Sequence, residues 1–226
     1  TWHPEWREKH IKTRAKGVTN IFMAIKEEFG YLPADKYDKT VTWGLEMAYY
    51  DWCLGIMAKE AGDEKTSKEW LAKGQYYRHY FDPSTGYMRG KKKDGTWLPN
   101  FDPSYSSHKK GQFIEGNSYQ WSPFVPHDIE GLKGLIGGNK KFASWLDTLF
   151  MTDSKLTGED VSMDITGLIG QYAHGNEPGH HIPYLYNYAK RPDRTAEIGD
   201  KILYDFYLPP PEGIIGNEDW GQMSAW

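Results

Sequence analysis

Three observations predict an all-α fold for this chain of 226 residues. Helical spacing of apolar residues dominates, few segments alternate with period two, and the polar clusters fall in the loops between periodic segments. A chain of this length forms one domain or two small ones and buries a full core.

The elements follow in order. Over residues 5–29, Ile11, Val18, Ile21, Phe22, Ile25 and Phe29 recur at three- and four-residue spacing, one buried face of a helix. Gly30 and then Pro33 end it. Thr40–Ala61 is a second helix, with Val41, Leu45, Ala48, Trp52 and Ile56 on one face and Gly62 closing it. A third runs over Thr66–Tyr80 to the stop at Asp82-Pro83, and the short turn between the two makes them an antiparallel pair. Residues 81–124 carry recurrent Pro, Gly, Ser, Asp and Asn without a period, a loop long enough to imply a function. Helices resume over Val125–Ile136, Asn139–Phe150 and Asp164–His174, then Ile182–Ala189, then one with Pro192 near its start that reaches Tyr207. Pro209-Pro210-Pro211 is a rigid break, and Asp219–Trp226 reads as the opening of another helix. Consecutive helix pairs with polar loops at one end resemble the end of an α/α toroid, where loops surround a pocket.

Composition narrows the function. Ten Trp and sixteen Tyr exceed what packing needs, and such side chains line wet binding surfaces because one end is apolar and the other polar. The formal net charge of −4 and the lack of a basic stripe argue against nucleic acid. Lys91-Lys92-Lys93 reads as a solvated turn. The single cysteine, Cys53, excludes an intrachain disulfide, and its neighbours Trp52 and Leu54 suggest a buried packing role. No apolar run is long enough to span a membrane. The first residues, Thr1-Trp2-His3-Pro4, do not resemble a signal peptide, which a mature secreted or periplasmic protein would also lack.

Three clusters carry the chemistry. Glu115-Gly116-Asn117-Ser118-Tyr119-Gln120-Trp121 sets a carboxylate among amides and aromatics, the composition of a sugar pocket, where ring faces stack and hydroxyls meet polar groups. Val125-Pro126-His127-Asp128 follows, and Asp128 also suits the first turn of a helix. His174-Gly175-Asn176-Glu177-Pro178-Gly179-His180-His181 places amide and carboxylate oxygens on a turn, a ligand set for a hard cation such as calcium, although a helix cap uses the same residues. Adjacent His180 and His181 leave a helix roughly 100° apart and cannot form an i,i+4 zinc pair. Gly216-Asn217-Glu218-Asp219-Trp220-Gly221-Gln222 crowds acids at a helix start, and at most one of Glu218 and Asp219 faces a pocket shared with Glu115. Two carboxylates on separate loops are what glycosidic cleavage requires.

With these segments in hand, the sequence resembles the glycoside hydrolase family 92 α-mannosidases, an exo-acting, inverting, calcium-dependent family. The resemblance rests on Val41-Thr42-Trp43-Gly44-Leu45-Glu46-Met47-Ala48-Tyr49-Tyr50-Asp51-Trp52, the Glu115 motif running into His127-Asp128, Gly175-Asn176-Glu177-Pro178 with His180-His181-Ile182-Pro183-Tyr184-Leu185-Tyr186-Asn187, and Gly216 to Trp226. It implies an all-α (α/α)6 toroid-type catalytic domain, incomplete over residues 1–226, without the family's preceding β-sandwich domain. It implies Glu115 as general acid and Asp219 as general base. Gln120, Trp121, His127, Asp128, His180 and His181 would bind substrate, and Asn176, Glu177 and Asp219 would hold Ca2+. The implied substrate is the terminal α-mannoside of a glycan, N-glycans included, hydrolysed in the periplasm or outside the cell. Gly179 stands where the family usually has Ser, and Trp220 occupies a variable place beside the base. The rival reading is a noncatalytic carbohydrate-binding or scaffold fragment. A hydrolase using histidine-bound metal is disfavoured by the adjacent pair.

Overall fold

Apolar spacing and turn residues together set the helices of the computed structural model, which describes residues 18–209 and 213–216. Helix α1 (Val18–Phe29) buries Phe22 and ends at Gly30, whose φ of 76° is the left-handed terminus expected there. The predicted stretch before residue 18 lies outside the described residues. Helix α2 (Thr40–Glu60) buries Val41, Leu45 and Ala48, and packs against α3 (Glu64–Lys73). Asp63 caps α3, its side chain accepting from Thr66 N at 3.0 Å. The predicted third helix does not stay α-helical to Tyr80. It tightens into a 3-10 turn over Gly74–His79, where Gly74 interrupts the good helix formers.

Strands β1 (Phe81–Asp82) and β2 (Tyr87–Met88) pair antiparallel inside the stretch read as loop. That stretch also holds the short helix α4 (Ser118–Trp121). Helix α5 (Ile129–Ile136) starts four residues later than Val125, because the Asp128 side chain accepts from Gly131 N at 2.9 Å and sets the boundary. Helix α6 (Asn139–Met151) follows, burying Phe142, Leu146 and Leu149.

The expected helix over Asp164–His174 is absent. The segment forms an antiparallel hairpin of β3 (Leu168–Ile169) and β4 (Tyr172–Ala173) joined by Gly170-Gln171. Gly170 has a φ of 59°, and a Cβ there would meet Leu149 O and Phe150 O at 2.5 Å, so only glycine makes this turn. The predicted Ile182–Ala189 helix is a 3-10 turn (Ile182–Tyr184) running into the short α7 (Leu185–Tyr188). Helix α8 (Pro192–Phe206) begins with proline in its first turn.

The core is unusually phenolic. Tyr77, Tyr80, Tyr172 and Tyr186 are fully buried with Leu45, Leu132, Phe142, Leu146 and Ile182, so much of the aromatic excess serves packing. Cys53 is half-buried rather than enclosed. Among the described residues the helices form no closed ring, and no helix is long and apolar enough to cross a membrane. After α8 the chain folds back. Leu208 N donates to Gly213 O at 2.8 Å, and Tyr207 bridges to Ile214.

Candidate functional site

The loop ahead of α4 is shaped by its own polar residues. The Asn117 side chain accepts from Gln120 N at 3.1 Å, and Gln120 Oε1 accepts from Asn117 N at 3.0 Å, a reciprocal capping box. Asn117 Nδ2 donates to Gln171 Oε1 at 2.8 Å, and Gln120 Nε2 donates to Gln171 O at 3.0 Å, which pins the loop to the β3–β4 turn. Trp121 is buried and its indole N–H donates to Ile114 O at 2.6 Å. Just before this cap Glu115 takes a φ of 46°, a left-handed backbone costing on the order of 1 kcal/mol for a side chain with a Cβ. That conformation turns Glu115, half-buried, toward the second cluster.

The second cluster meets it there. Asn176 Nδ2 donates to Glu115 O at 2.8 Å across 61 residues of sequence. Glu115, Gln120, Trp121, Asn176 and Gly179 are among the residues around one shallow hollow, open to solvent. Tyr172, Ala173, Pro178 and Ile182 complete its wall, and of these the sequence singled out Pro178 and Ile182 but not Tyr172 and Ala173. The readable signal was the Gly170-Gln171 pair between two apolar dipeptides, which places Tyr172 and Ala173 on a hairpin arm.

Gly175 allows the third cluster to approach. A Cβ there would stand 1.9 Å from Thr166 Oγ1, so the backbone packs against its neighbour without side-chain volume. Gly216 in turn lies against Gly175, with a Cβ at Gly216 only 3.2 Å from Gly175 O. The path into the third cluster therefore starts beside the second. Asn217, Glu218 and Asp219 themselves, with the helix expected over Asp219–Trp226, lie outside the described residues.

The histidines divide into two groups. His174 is held between Tyr172 and Tyr207: its Nδ1 is 2.8 Å from one hydroxyl and its Nε2 2.7 Å from the other. Burial, with neighbouring His180, pushes its pKa down to about 4, so the ring is neutral. His180 stacks on His174 at 4.6 Å and its Nε2 donates to His174 O at 2.8 Å. His181 Nε2 donates to Pro123 O at 3.0 Å, and burial lowers its pKa. These bonds stitch the Asn176–Glu177 turn to β4 and to the chain after α4.

His127 and Asp128 are not among the residues lining the hollow. His127 packs among Tyr49, Trp52 and Tyr77, its Nε2 donates to Gly74 O at 2.8 Å, and burial lowers its pKa. Asp128 caps α5 and accepts from Tyr77 Oη at 2.7 Å. Burial would raise its carboxyl, but hydrogen bonds from Tyr77, Gly131, Gln75 and Arg78 outweigh it and hold the group below the usual range.

Asn176 and Glu177 suit a hard cation. They are 7% and 8% exposed at the start of a 3-10 turn (Glu177–Gly179), and the Glu177 carboxylate has no hydrogen bond or ion pair among the described residues. Among the described residues no three His, Cys, Asp or Glu side chains converge as a metal cage. Amide and carboxylate oxygens remain the fitting donors for calcium.

Comparison with known proteins identifies the family and the fold. Residues 5–226 match the description "Glycosyl hydrolase family 92 catalytic domain". An uncharacterized secreted glycosidase of Arthroderma benhamiae is 26% identical over 87% of this chain and 27% of its own length. The structure of the family GH92 α-mannosidase BT3965 from Bacteroides thetaiotaomicron, solved with mannoimidazole, superposes with a TM-score of 0.79 and 39% identity over 87% of this chain and 26% of that one. The inverting mannosidase BT2199 of the same organism gives 0.75 and 31% over 91% of this chain and 28% of that one. The chain thus spans about a quarter of the length of these relatives. A match running through nearly all 226 residues, together with the likeness of fold, shows that this chain belongs to glycosyl hydrolase family 92, within the family's catalytic domain.

Proposed function

We propose that this chain supplies catalytic residues of an exo-acting, inverting α-mannosidase that removes terminal α-mannosides from glycans outside the cell or in the periplasm. The observation that carries the reading is the shared hollow. Glu115 from the first cluster and Asn176 from the second line one wall set, with Trp121 and Gln120 beside them. Of the solved relatives named above, one is described as an α-mannosidase and the other as an inverting mannosidase, and the fungal relative is described as secreted.

In this reading Glu115 carries a proton and donates it to the glycosidic oxygen as the bond to the leaving group breaks. Asp219 removes a proton from water attacking the opposite face of the ring. Inversion requires the two carboxyl groups to be about 6.5–9.5 Å apart, leaving room for that water. Trp121 supplies the apolar edge of the hollow and Gln120 a polar one, whereas His180 and His181 are not among its lining residues and act through their bonds to His174 O and Pro123 O. Asn176 and Glu177, with Asp219, would hold calcium, which when bound orients substrate hydroxyls and favours a flattened ring.

The test is Glu115→Gln. Turnover of a disaccharide α-mannoside should fall by at least about 100-fold, the lower range for loss of a general acid, while calorimetry still detects ligand binding. Proton NMR of the wild-type reaction should show β-mannose as the first-formed anomer. A variant that keeps most of its rate removes Glu115 from the role, and α-mannose as first product removes inversion.

A further inference from the structure

Lys39 carries an unusual set of contacts for a lysine at a helix start. Its backbone is left-handed, with a φ of 58°, and it offers no side-chain cap to α2. Its ammonium instead donates to three backbone carbonyls: Ser107 O, Lys110 O at 2.9 Å and Phe113 O at 2.8 Å. An ammonium has three donors, and all three are used. These acceptors lie 68 to 74 residues further along the chain, so the lysine gathers a distant loop around its head.

The clamp extends through the neighbouring backbone. Lys39 N donates to Gly111 O at 2.6 Å, and Val41 N donates to Gln112 O at 3.1 Å, so the loop satisfies N–H groups that the α2 terminus leaves open. Ile114 N donates to Thr42 Oγ1 at 3.0 Å. Glu115 is the next residue, itself left-handed. Every residue from 110 to 114 is therefore tied to Lys39 or to the first turn of α2, and the last tie falls one residue before the acid.

We propose that Lys39 is a positioning residue for Glu115: by gathering the carbonyls of residues 107, 110 and 113 it fixes the loop that presents the acid to the glycosidic oxygen. This rests on the reading of Glu115 as the general acid. Burial draws down the pKa of Lys39, while Asp38, Asp160 and Glu115 draw it up, so the Glu115 side chain lies within electrostatic reach of the ammonium.

A mispositioned acid has a signature that general loosening lacks. An aryl leaving group of low basicity departs with little proton donation, whereas a sugar leaving group needs it. In the full-length enzyme, Lys39→Met should lower kcat/KM on an α-mannobioside by about 100-fold, the scale of an ångström misplacement, yet change a dinitrophenyl α-mannoside by less than about threefold. Lys39→Arg, which keeps charge and donors, should recover part of the mannobioside rate. Thr42→Val, which removes only the Ile114 tie, should give the same leaving-group pattern more weakly and serves if Lys39→Met does not fold. Equal losses on both substrates, or none, in these variants overturn the proposal. Glu115→Gln run alongside separates the two readings. If it shows the leaving-group pattern and the Lys39 and Thr42 variants do not, only the positioning role falls; if it does not, both fall.

Discussion

At the scale of single residues, the site is surrounded by histidines whose work is done while neutral. His174 bridges two tyrosine hydroxyls, an arrangement suited to an imidazole with one donor and one acceptor. Its pKa of about 4 lies below the unfolded value near 6.5. Between those values the unfolded chain binds the extra proton, so this residue contributes stability above pH 6.5 that is lost as pH falls toward 4. From pH 7 to pH 5 the loss attributable to His174 is about 2 kcal/mol. His79, His127 and His181 are lowered as well and add to the trend, whereas the raised carboxyls of Glu46 and Asp51 act against it. The check is therefore a difference: urea unfolding at pH 7 and pH 5 should show a shallower loss for His174→Gln than for wild type. Coincident losses would mean that His174 is not the depressed group. None of this was legible in the sequence, where His174 appeared only as the first letter of a cluster. Lys39 was equally silent, because its acceptors are backbone carbonyls far along the chain.

At the scale of elements, legibility followed the local or distant origin of each constraint. Helices α2, α6 and α8 were readable because apolar spacing, Pro192 and the closing Gly62 all act within a few residues. The β3–β4 hairpin was not, because Ile165, Leu168 and Ile169 mimic helical spacing and the deciding contact, Gly170 against Leu149 O and Phe150 O, comes from α6. Asp128 was open to two uses, and its geometry supports the cap of α5 plus a buried bond from Tyr77. Removing it costs about 1 kcal/mol for the cap and a further 1–2 for the stranded phenol. Arg78 is substantially exposed and adds little. Asp128→Ala should therefore lower Tm by roughly 5–10 °C, with Asp128→Asn losing less because an amide oxygen still caps. Differential scanning calorimetry decides it, and an unchanged Tm for the alanine variant would return Asp128 to the substrate side.

At the scale of the whole molecule, the hollow exists because segments remote in sequence are tied together: the Glu115 loop to Asn176, the Gly175 backbone to Gly216, and the Asn117–Gln120 box to Gln171. A cation held by Asn176 and Glu177 would add to those ties only in the folded state, since the unfolded chain disperses the donors. Binding to the native state alone raises stability by RT ln(1 + [L]/Kd), about 2.7 kcal/mol at a hundredfold excess over Kd. Saturating calcium should accordingly raise Tm of the full-length protein by several degrees, and a chelator should reverse it. Glu177→Gln should abolish most of that shift, because the buried carboxylate becomes a neutral amide. A variant that stabilises with calcium as strongly as wild type would place the cation elsewhere, and a wild type indifferent to calcium would leave the Asn176–Glu177 turn to act through its hydrogen bond to the Glu115 loop alone.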